Sequence, residues 1–390
     1  MATNSLNRRN WIKSSAFMAG GLAFFSGTIS KLAAMPVAKK LVPMAKRFTD
    51  MDAIADAPPV LKARLLANEN PFGPSPAAKK AIQDAIDLGY QYPMQSMGML
   101  YDKIAAYEGI SSGNILMESG SSPLLLAAAM YYSKGGKSII TGDPSYDDLP
   151  SHAERLEGKW IKVPLTTDYK LDLDAMEAKI DANTGLVYIC NPNNPTATIL
   201  DTAKLKAFCE RVSKKVTVFV DEAYIDYLPD PKGSSMIDTM KASNNIIVAR
   251  TFSKLYGFAG LRCGYIVSQP ETIKVLSNYT TGFSLSATTI AGALVAYREE
   301  AFLKQALEKT LASKEYLYSV LKKEGYEYIP SSANFVMFPL KMGSKKFVSE
   351  MMKRGVGVRS WQFNGKEWCR VSIGRMDEME AFADAFKQLS

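Results

Sequence analysis

Four short loops in this chain carry side chains able to do chemistry, and each follows an apolar run. Tyr146 stands in DPSY, Asn194 in NPNNPT, Asp221 and Tyr224 in DEAY, and Lys254 in TFSK. The stretch Arg250 to Tyr265, RTFSKLYGFAGLRCGY, adds Arg262 eight residues beyond the lysine. A lysine leaving a strand is ordinarily a solvated surface residue. Here it would share a cleft with a carboxylate, two phenols, an amide and a guanidinium. An amine in that company is a nucleophile for a carbonyl carbon, while the carboxylate can hold a cation and the donors an anion.

Such loops need a rigid frame. The runs SIITG (138–142), LVYIC (186–190), VTVFV (216–220), IIVAR (246–250) and GYIVS (264–268) read as strands, with helical patterns such as DAMEAKI and TAKLKAFCERV between them. That alternation argues for an α/β domain with a mostly parallel sheet. In open α/β sheets ligands bind outside the carboxyl ends of the strands, which is where these loops fall. The last hundred residues differ: a helical stretch 299–325, then NFVMFPL, a helix 345–354, VGVRS and CRVSIG. They read as a smaller α+β domain. The expected divisions are 1–38, 39–75 (an arm and part of the small domain), 76–285 (the large domain) and 286–390 (the small C-terminal domain).

One ligand uses all of these groups. Pyridoxal 5'-phosphate needs an amine for its aldehyde, an anion for its pyridine nitrogen, donors for its phenolate oxygen, a ring to stack on and a phosphate pocket. Lys254 supplies the amine and Asp221 keeps the pyridine nitrogen protonated. Asn194 and Tyr224 donate to the phenolate, and Tyr146 stacks on the ring. GSSP (120–123) precedes the helical run LLLAAAMYY. Gly120, Ser121 and Ser122, with Pro123 in the first turn, leave amides and hydroxyls aimed at an anion. Thr251, Ser253 and Arg262 bring hydroxyls and a guanidinium to the same end of the sheet.

Composition is consistent with an enzyme of this kind. The 390 residues are 47% hydrophobic and 22% charged, which is ordinary for a globular protein. Net charge is +8, but Arg8, Arg9, Lys13 and Lys31 account for four of those charges in an acid-free segment 1–38. The other basic residues are scattered, so nucleic-acid binding is disfavoured. The four cysteines are far apart and have no metal-ligand spacing. The one histidine, His152, reads as an ordinary surface residue on a helix, and neither zinc catalysis nor a Ser-His-Asp triad is supported.

Residues 5–27, SLNRRNWIKSSAFMAGGLAFFSG, place paired arginines ahead of about fifteen mildly apolar residues. The segment resembles a twin-arginine export signal: Arg8 and Arg9 match the pair, Trp11 and Ile12 replace the usual Phe and Leu, and Lys13 fits. This implies engagement of the twin-arginine (Tat) export machinery and a periplasmic destination. Cleavage near 34–38 and retention as an anchor both remain open. No later stretch is long and apolar enough to span a bilayer, so the body is expected to be soluble.

LLANENPFGPSP (65–76), QYP (91–93), NPNNPT, DEAY, RTFSKLYGFAGLRCGY, SSANFVMF (331–338) and CRVSIG (369–374) occur in an order that resembles the fold-type-I pyridoxal-phosphate aminotransferases. Within them the set is similar to the histidinol-phosphate aminotransferase family, over everything from about residue 60 to the C-terminus. The resemblance implies a homodimer with the active site at the subunit interface, amino-acid and 2-oxo-acid substrates, and Tyr92 reaching the partner subunit's cofactor phosphate. It also implies that Arg370 binds the substrate α-carboxylate, as a guanidinium fork suits, with Asn334 and Arg359 on the substrate side. Departures are Ala197, where the family has glycine, and Ser122 and Pro123, where acidic residues are usual. Phe72 stands where histidinol-phosphate enzymes carry a phosphate-contacting Tyr, and Trp361 and Phe363 where the family is more polar. These point to an unphosphorylated, aromatic or otherwise apolar amino acid. True histidinol-phosphate transamination, a racemase or decarboxylase on the same fold, and a non-catalytic exported binding protein are the alternatives; retention of Lys254, Asp221, Tyr224, Asn194 and Arg370 argues against the last.

Overall fold

Three consecutive apolar strands form the middle of the molecule because both of their faces are covered. The computed structural model describes residues 61–242 and 245–389, so the twin-arginine segment lies outside the described residues. The strands are β1 (Ala63–Arg64), β2 (Ile115–Glu118), β3 (Ser138–Asp143), β4 (Lys159–Pro164), β5 (Thr184–Cys190), β6 (Thr217–Asp221), β7 (Ile246–Thr251), β8 (Gly264–Val267), β9 (Phe335–Pro339), β10 (Val356–Gly357), β11 (Arg359–Phe363) and β12 (Lys366–Ser372). Seven of them make one sheet in the order β2-β8-β7-β6-β5-β3-β4. The pairings from β7 through β4 are parallel, and β8 alone runs against its neighbours β7 and β2. The expected mostly parallel α/β sheet is therefore present, with GYIVS as its antiparallel member.

Side chains alternate between two cores, as a period of two requires. Val187, Ile189, Val218 and Val220 face one core, shared with Leu205, Phe208 and Cys209 of helix Thr202–Val212. Tyr188, Cys190 and Phe219 face the other, shared with Leu124, Leu125 and Ala128 of helix Ser122–Tyr132. Burial on both faces explains why β5 to β7 read as unbroken apolar runs. Two strands escaped that reading: β2 is four residues long, and β4 is an edge strand whose exposed lysines interrupt its pattern.

The C-terminal part has its own core. Strands β11, β12 and β9 form an antiparallel sheet, packed with helices Glu300–Lys323, Ser344–Lys353 and Met376–Phe386 through Leu317, Leu321, Phe338, Phe347, Phe382 and Phe386. β1 pairs in parallel with β10, so the segment entering at residue 61 docks here too. Helix Ala287–Ala296 lies beyond the expected boundary at 285, yet its Ile290, Ala293 and Ala296 join the large-sheet core. Among the described residues no helix is long and apolar enough to cross a membrane.

Candidate active site

Asp221 ends β6 and is buried. Tyr188 on the neighbouring strand donates its hydroxyl to Asp221 Oδ2 at 2.8 Å, and the Ala223 N–H donates to Oδ1 at 3.1 Å. Burial pushes the Asp221 pKa up to about 6, while these two bonds and the Lys254 charge pull against it. A buried carboxylate of this kind is a receptor for a cationic nitrogen.

Lys254 follows β7 and is half-buried, its Nζ 3.4 Å from the Asn68 carbonyl oxygen and 5.3 Å from the centre of the Tyr224 ring. Burial lowers its pKa to about 8, helped by the Arg370 charge and opposed by Glu69 and Asp221. A useful fraction of the amine is thus neutral near pH 7–8, as nucleophilic attack on an aldehyde requires. Tyr224 is buried, which raises its pKa and keeps its hydroxyl protonated; that hydroxyl accepts from Asn68 Nδ2 at 3.0 Å.

Arg370 on β12 reaches the same cleft. It donates through Nη1 to Asn194 Oδ1 at 2.6 Å and through Nη2 to the Leu66 carbonyl at 3.0 Å, and Trp361 packs 4.6 Å from the guanidinium. Its Nε is buried without a hydrogen-bond partner. Burial draws its pKa down to about 9, which still leaves it cationic at neutral pH. Arg359 faces it across the β11–β12 ladder, and its guanidinium carbon lies 5.3 Å from the centre of the same Trp361 ring. Among the described residues no carboxylate lies within ion-pair distance of either arginine. Two cations without counter-ions mark a place for anionic ligand groups. Because Asn194 uses its carbonyl on Arg370, its amide nitrogen is left as the donor.

The phosphate cradle is built from close backbone contact. Gly120 adopts φ +90°, and the Arg262 guanidinium occupies the space a side chain there would need. A Cβ on Gly264 would lie 2.6 Å from the Ser121 nitrogen, so only glycine lets β8 pass beneath the loop. Helix Ser122–Tyr132 starts here with Pro123 in its first turn and no side-chain cap, leaving its first amides available. Arg262 Nη1 is 3.3 Å from Ser253 Oγ.

The structure thus brings Gly120, Ser121, Ser122, Ser253 and Arg262 together at one end of the cleft, and Asp221, Tyr224, Lys254, Asn194 and Arg370 at the other. Tyr146 sits half-buried in the loop after β3. Two of the expected residues, Thr251 and Asn334, spend their hydrogen bonds within this chain. The Thr251 hydroxyl works within its own loop, accepting from the Ser253 N–H and donating to the Cys263 carbonyl. Asn334 directs its amide nitrogen to the carbonyls of Asn68 and Glu69, at 3.1 and 3.2 Å, which leaves its buried Oδ1 unpartnered. Tyr92 is 83% exposed, with its ring against that of Phe283. Phe72 packs in the apolar cluster of Tyr224, Leu255 and Phe335. Ala197 takes a left-handed φ of +60° while buried, a conformation costing a non-glycine residue about 1–2 kcal/mol. His152 is half-buried rather than on the surface, its Nε2 3.5 Å from Asp148 Oδ1 on the same helix.

Two residues that the sequence analysis passed over belong to the site. Tyr188 is an aromatic hydroxyl in an otherwise apolar buried strand, and that incongruity is its signal. Asn68 lies in LLANENPFGPSP and is 1% exposed; nothing local to its position distinguishes it.

A cradle for a phosphate, an anion for a ring nitrogen and an amine between them fit pyridoxal phosphate, and the fold is that of the fold-type-I transferases that carry it. Residues 62–386 match the family "Aminotransferase class I and II". The chain belongs to that family and is a pyridoxal-phosphate-dependent aminotransferase. It is 36% identical over 328 residues to the histidinol-phosphate aminotransferase of Moorella thermoacetica, covering 84% of this chain and 85% of the relative. It is 33% identical over 336 residues to the aromatic amino acid aminotransferase of Mycolicibacterium vanbaalenii, covering 86% and 95%. The crystal structure of the histidinol-phosphate aminotransferase from Sinorhizobium meliloti in complex with pyridoxal-5'-phosphate superposes with a TM-score of 0.80 at 25% identity, over 95% of this chain and all of that one.

Proposed function

We propose that this aminotransferase acts on an unphosphorylated amino acid with an aromatic or otherwise apolar side chain. The observation that carries the reading is the Trp361 ring, 4.6 Å from the Arg370 guanidinium and 5.3 Å from that of Arg359. Arg370 takes the α-carboxylate, and a substrate held there projects its side chain along an aromatic wall. Phe72 supports the reading, since it presents no hydroxyl to a substrate phosphate and packs against Phe335 and Leu255. Relatives named aromatic amino acid aminotransferases stand beside those named for histidinol phosphate at similar identity.

Pyridoxal phosphate, when bound, supplies an electron sink that stabilises negative charge at the substrate α-carbon. The chain's own residues do the rest. Asp221 holds the proton on the ring nitrogen, supported by Tyr188. Asn194 and Tyr224 would donate to the phenolate oxygen, while Gly120, Ser121, Ser122, Ser253 and Arg262 would hold the phosphate. Tyr146 covers the ring. Lys254 would supply the amine that holds the cofactor's aldehyde carbon and, as a free amine, would carry the proton of the substrate α-carbon. Tyr92 completes the cradle of the partner subunit in a homodimer, which accounts for its exposure. The paired arginines at 8 and 9 direct export by the twin-arginine route to the periplasm.

The test compares kcat/KM for phenylalanine, tyrosine, histidinol and histidinol phosphate with 2-oxoglutarate as common acceptor. The reading expects the aromatic amino acids to lead. A preference of about a hundredfold for histidinol phosphate, some 2.7 kcal/mol, would overturn it.

A further inference from the structure

Asn68 uses every polar atom it has. Its side-chain Nδ2 donates to the Tyr224 hydroxyl at 3.0 Å, and its Oδ1 accepts from the Ser372 hydroxyl at 2.8 Å. Its backbone N–H donates to the same Ser372 oxygen at 2.8 Å. Its carbonyl accepts from Lys254 Nζ at 3.4 Å and from Asn334 Nδ2 at 3.1 Å. The residue is buried and left-handed, φ +53°, a conformation that asparagine and aspartate tolerate better than other side chains. Four elements therefore converge on one residue: β12 and the loop after β6 on its side chain, the loop after β7 and the loop before β9 on its backbone carbonyl.

The direction of these bonds matters more than their number. Ser372 Oγ accepts the Asn68 N–H, so its own proton goes to Asn68 Oδ1. That turns the amide so its nitrogen faces Tyr224. A phenol oxygen that accepts there must send its own proton elsewhere, and the open side is the cleft.

We propose that Asn68 is a positioning residue: it fixes Tyr224 as a hydrogen-bond donor into the cleft and holds the free Lys254 amine on its carbonyl oxygen. The proposal rests on the pyridoxal-phosphate reading of the site. Ser372 sets the polarity, Asn68 transmits it, and the Tyr224 proton is thereby committed to the ligand's phenolate oxygen. The lysine, when displaced, returns to one acceptor instead of wandering in the cleft.

The experiment is a spectroscopic pH titration of the cofactor-loaded enzyme without substrate, in wild type, Asn68→Asp, Asn68→Gly and Ser372→Ala. Asn68→Asp keeps size and left-handed tolerance but can only accept when ionised, so Tyr224 would turn its proton toward the carboxylate. Asn68→Gly keeps the backbone conformation and removes the side chain, which guards against a folding defect in the first variant. The charged and titratable groups facing Lys254 and Tyr224 are Asp221 at the end of β6, Arg370 on β12, Arg262 after β7, Glu69 beside Asn68 and Cys190 on β5; none is changed. Loss of a donor to the phenolate raises the pH midpoint of the absorbance transition, by about one unit or more for Asn68→Asp and less for Asn68→Gly and Ser372→Ala. Midpoints within about 0.3 unit of wild type in all three would overturn the proposal, as would a fall. A wild-type protein that shows no absorbance band near roughly 410–430 nm with pyridoxal phosphate would remove the reading of the site, and this proposal with it. A wild-type band with unmoved variants removes this proposal alone.

Discussion

Arg370 Nη1 donates to Asn194 Oδ1 at 2.6 Å, which joins the small antiparallel sheet to the loop after β5 of the large one. One bond thus aims two groups. The guanidinium is held with part of its fork free for a carboxylate, and the amide is held with its nitrogen toward the ring.

Arg370→Lys keeps the charge but loses the fork. We expect kcat/KM to fall roughly 10²–10³-fold, about 2.7–4 kcal/mol, mainly through KM. Asn194→Ala should act partly on the same term, so the double variant will lose less than the two singles summed. Steady-state kinetics on the four proteins of the cycle check this; strict additivity would mean the bond does not couple the groups.

Lys254→Ala should remove turnover while leaving the fold intact, since the amine is both covalent anchor and proton carrier. Activity assays and a thermal melt on the same preparation decide it. A normal kcat would end the mechanism.

Asp221 gives a pH prediction with a definite sign. Its folded pKa of about 6 lies above its ordinary value of 3.8, so its contribution to stability is full below about pH 4 and lost as pH rises through 6. Ionising it at pH 7 costs the cofactor-free protein up to about 3 kcal/mol. Asp221→Asn should therefore gain stability over wild type between pH 4 and 7, measured by denaturation of both proteins without cofactor, and yet lose most of its rate. Parallel pH profiles, or an unchanged rate, would show that another group faces the pyridine nitrogen.

Replacing Arg8 and Arg9 by Lys should hold the protein in the cytoplasm. Fractionation of cells expressing each form is the measurement, and continued export of the variant would point to a different route.

How far these residues could be read before any fold was known depended on how local their reasons are. Asp221 and Lys254 are legible because one ends a buried apolar strand and the other stands three residues beyond one, where a charge has no packing role. β8 was legible as a strand but not as antiparallel, because strand direction is set by connections and leaves no mark on GYIVS itself. β4 was hidden by the lysines of an edge. His152 looked like a surface residue because its neighbour Asp148 is one turn away and the helix face they share is not marked by polarity. Asn68 carries no local mark of its role within LLANENPFGPSP: its partners lie 156 to 304 residues away in the chain, and its left-handed backbone cannot be read from one letter.

The contact between Asn68 and Ser372 sets a schedule for biosynthesis. The two residues are 304 positions apart, which at about 5–20 residues per second is roughly 15–60 s of translation. Once β8 has emerged, a ribosome holds a chain whose large sheet can already pair, while Asn68 and β1 still wait for strands not yet made. The loops that would hold the cofactor are therefore complete about a hundred residues before Arg370 and Ser372 on β12, so the substrate side of the cleft is the last part of the site to be assembled.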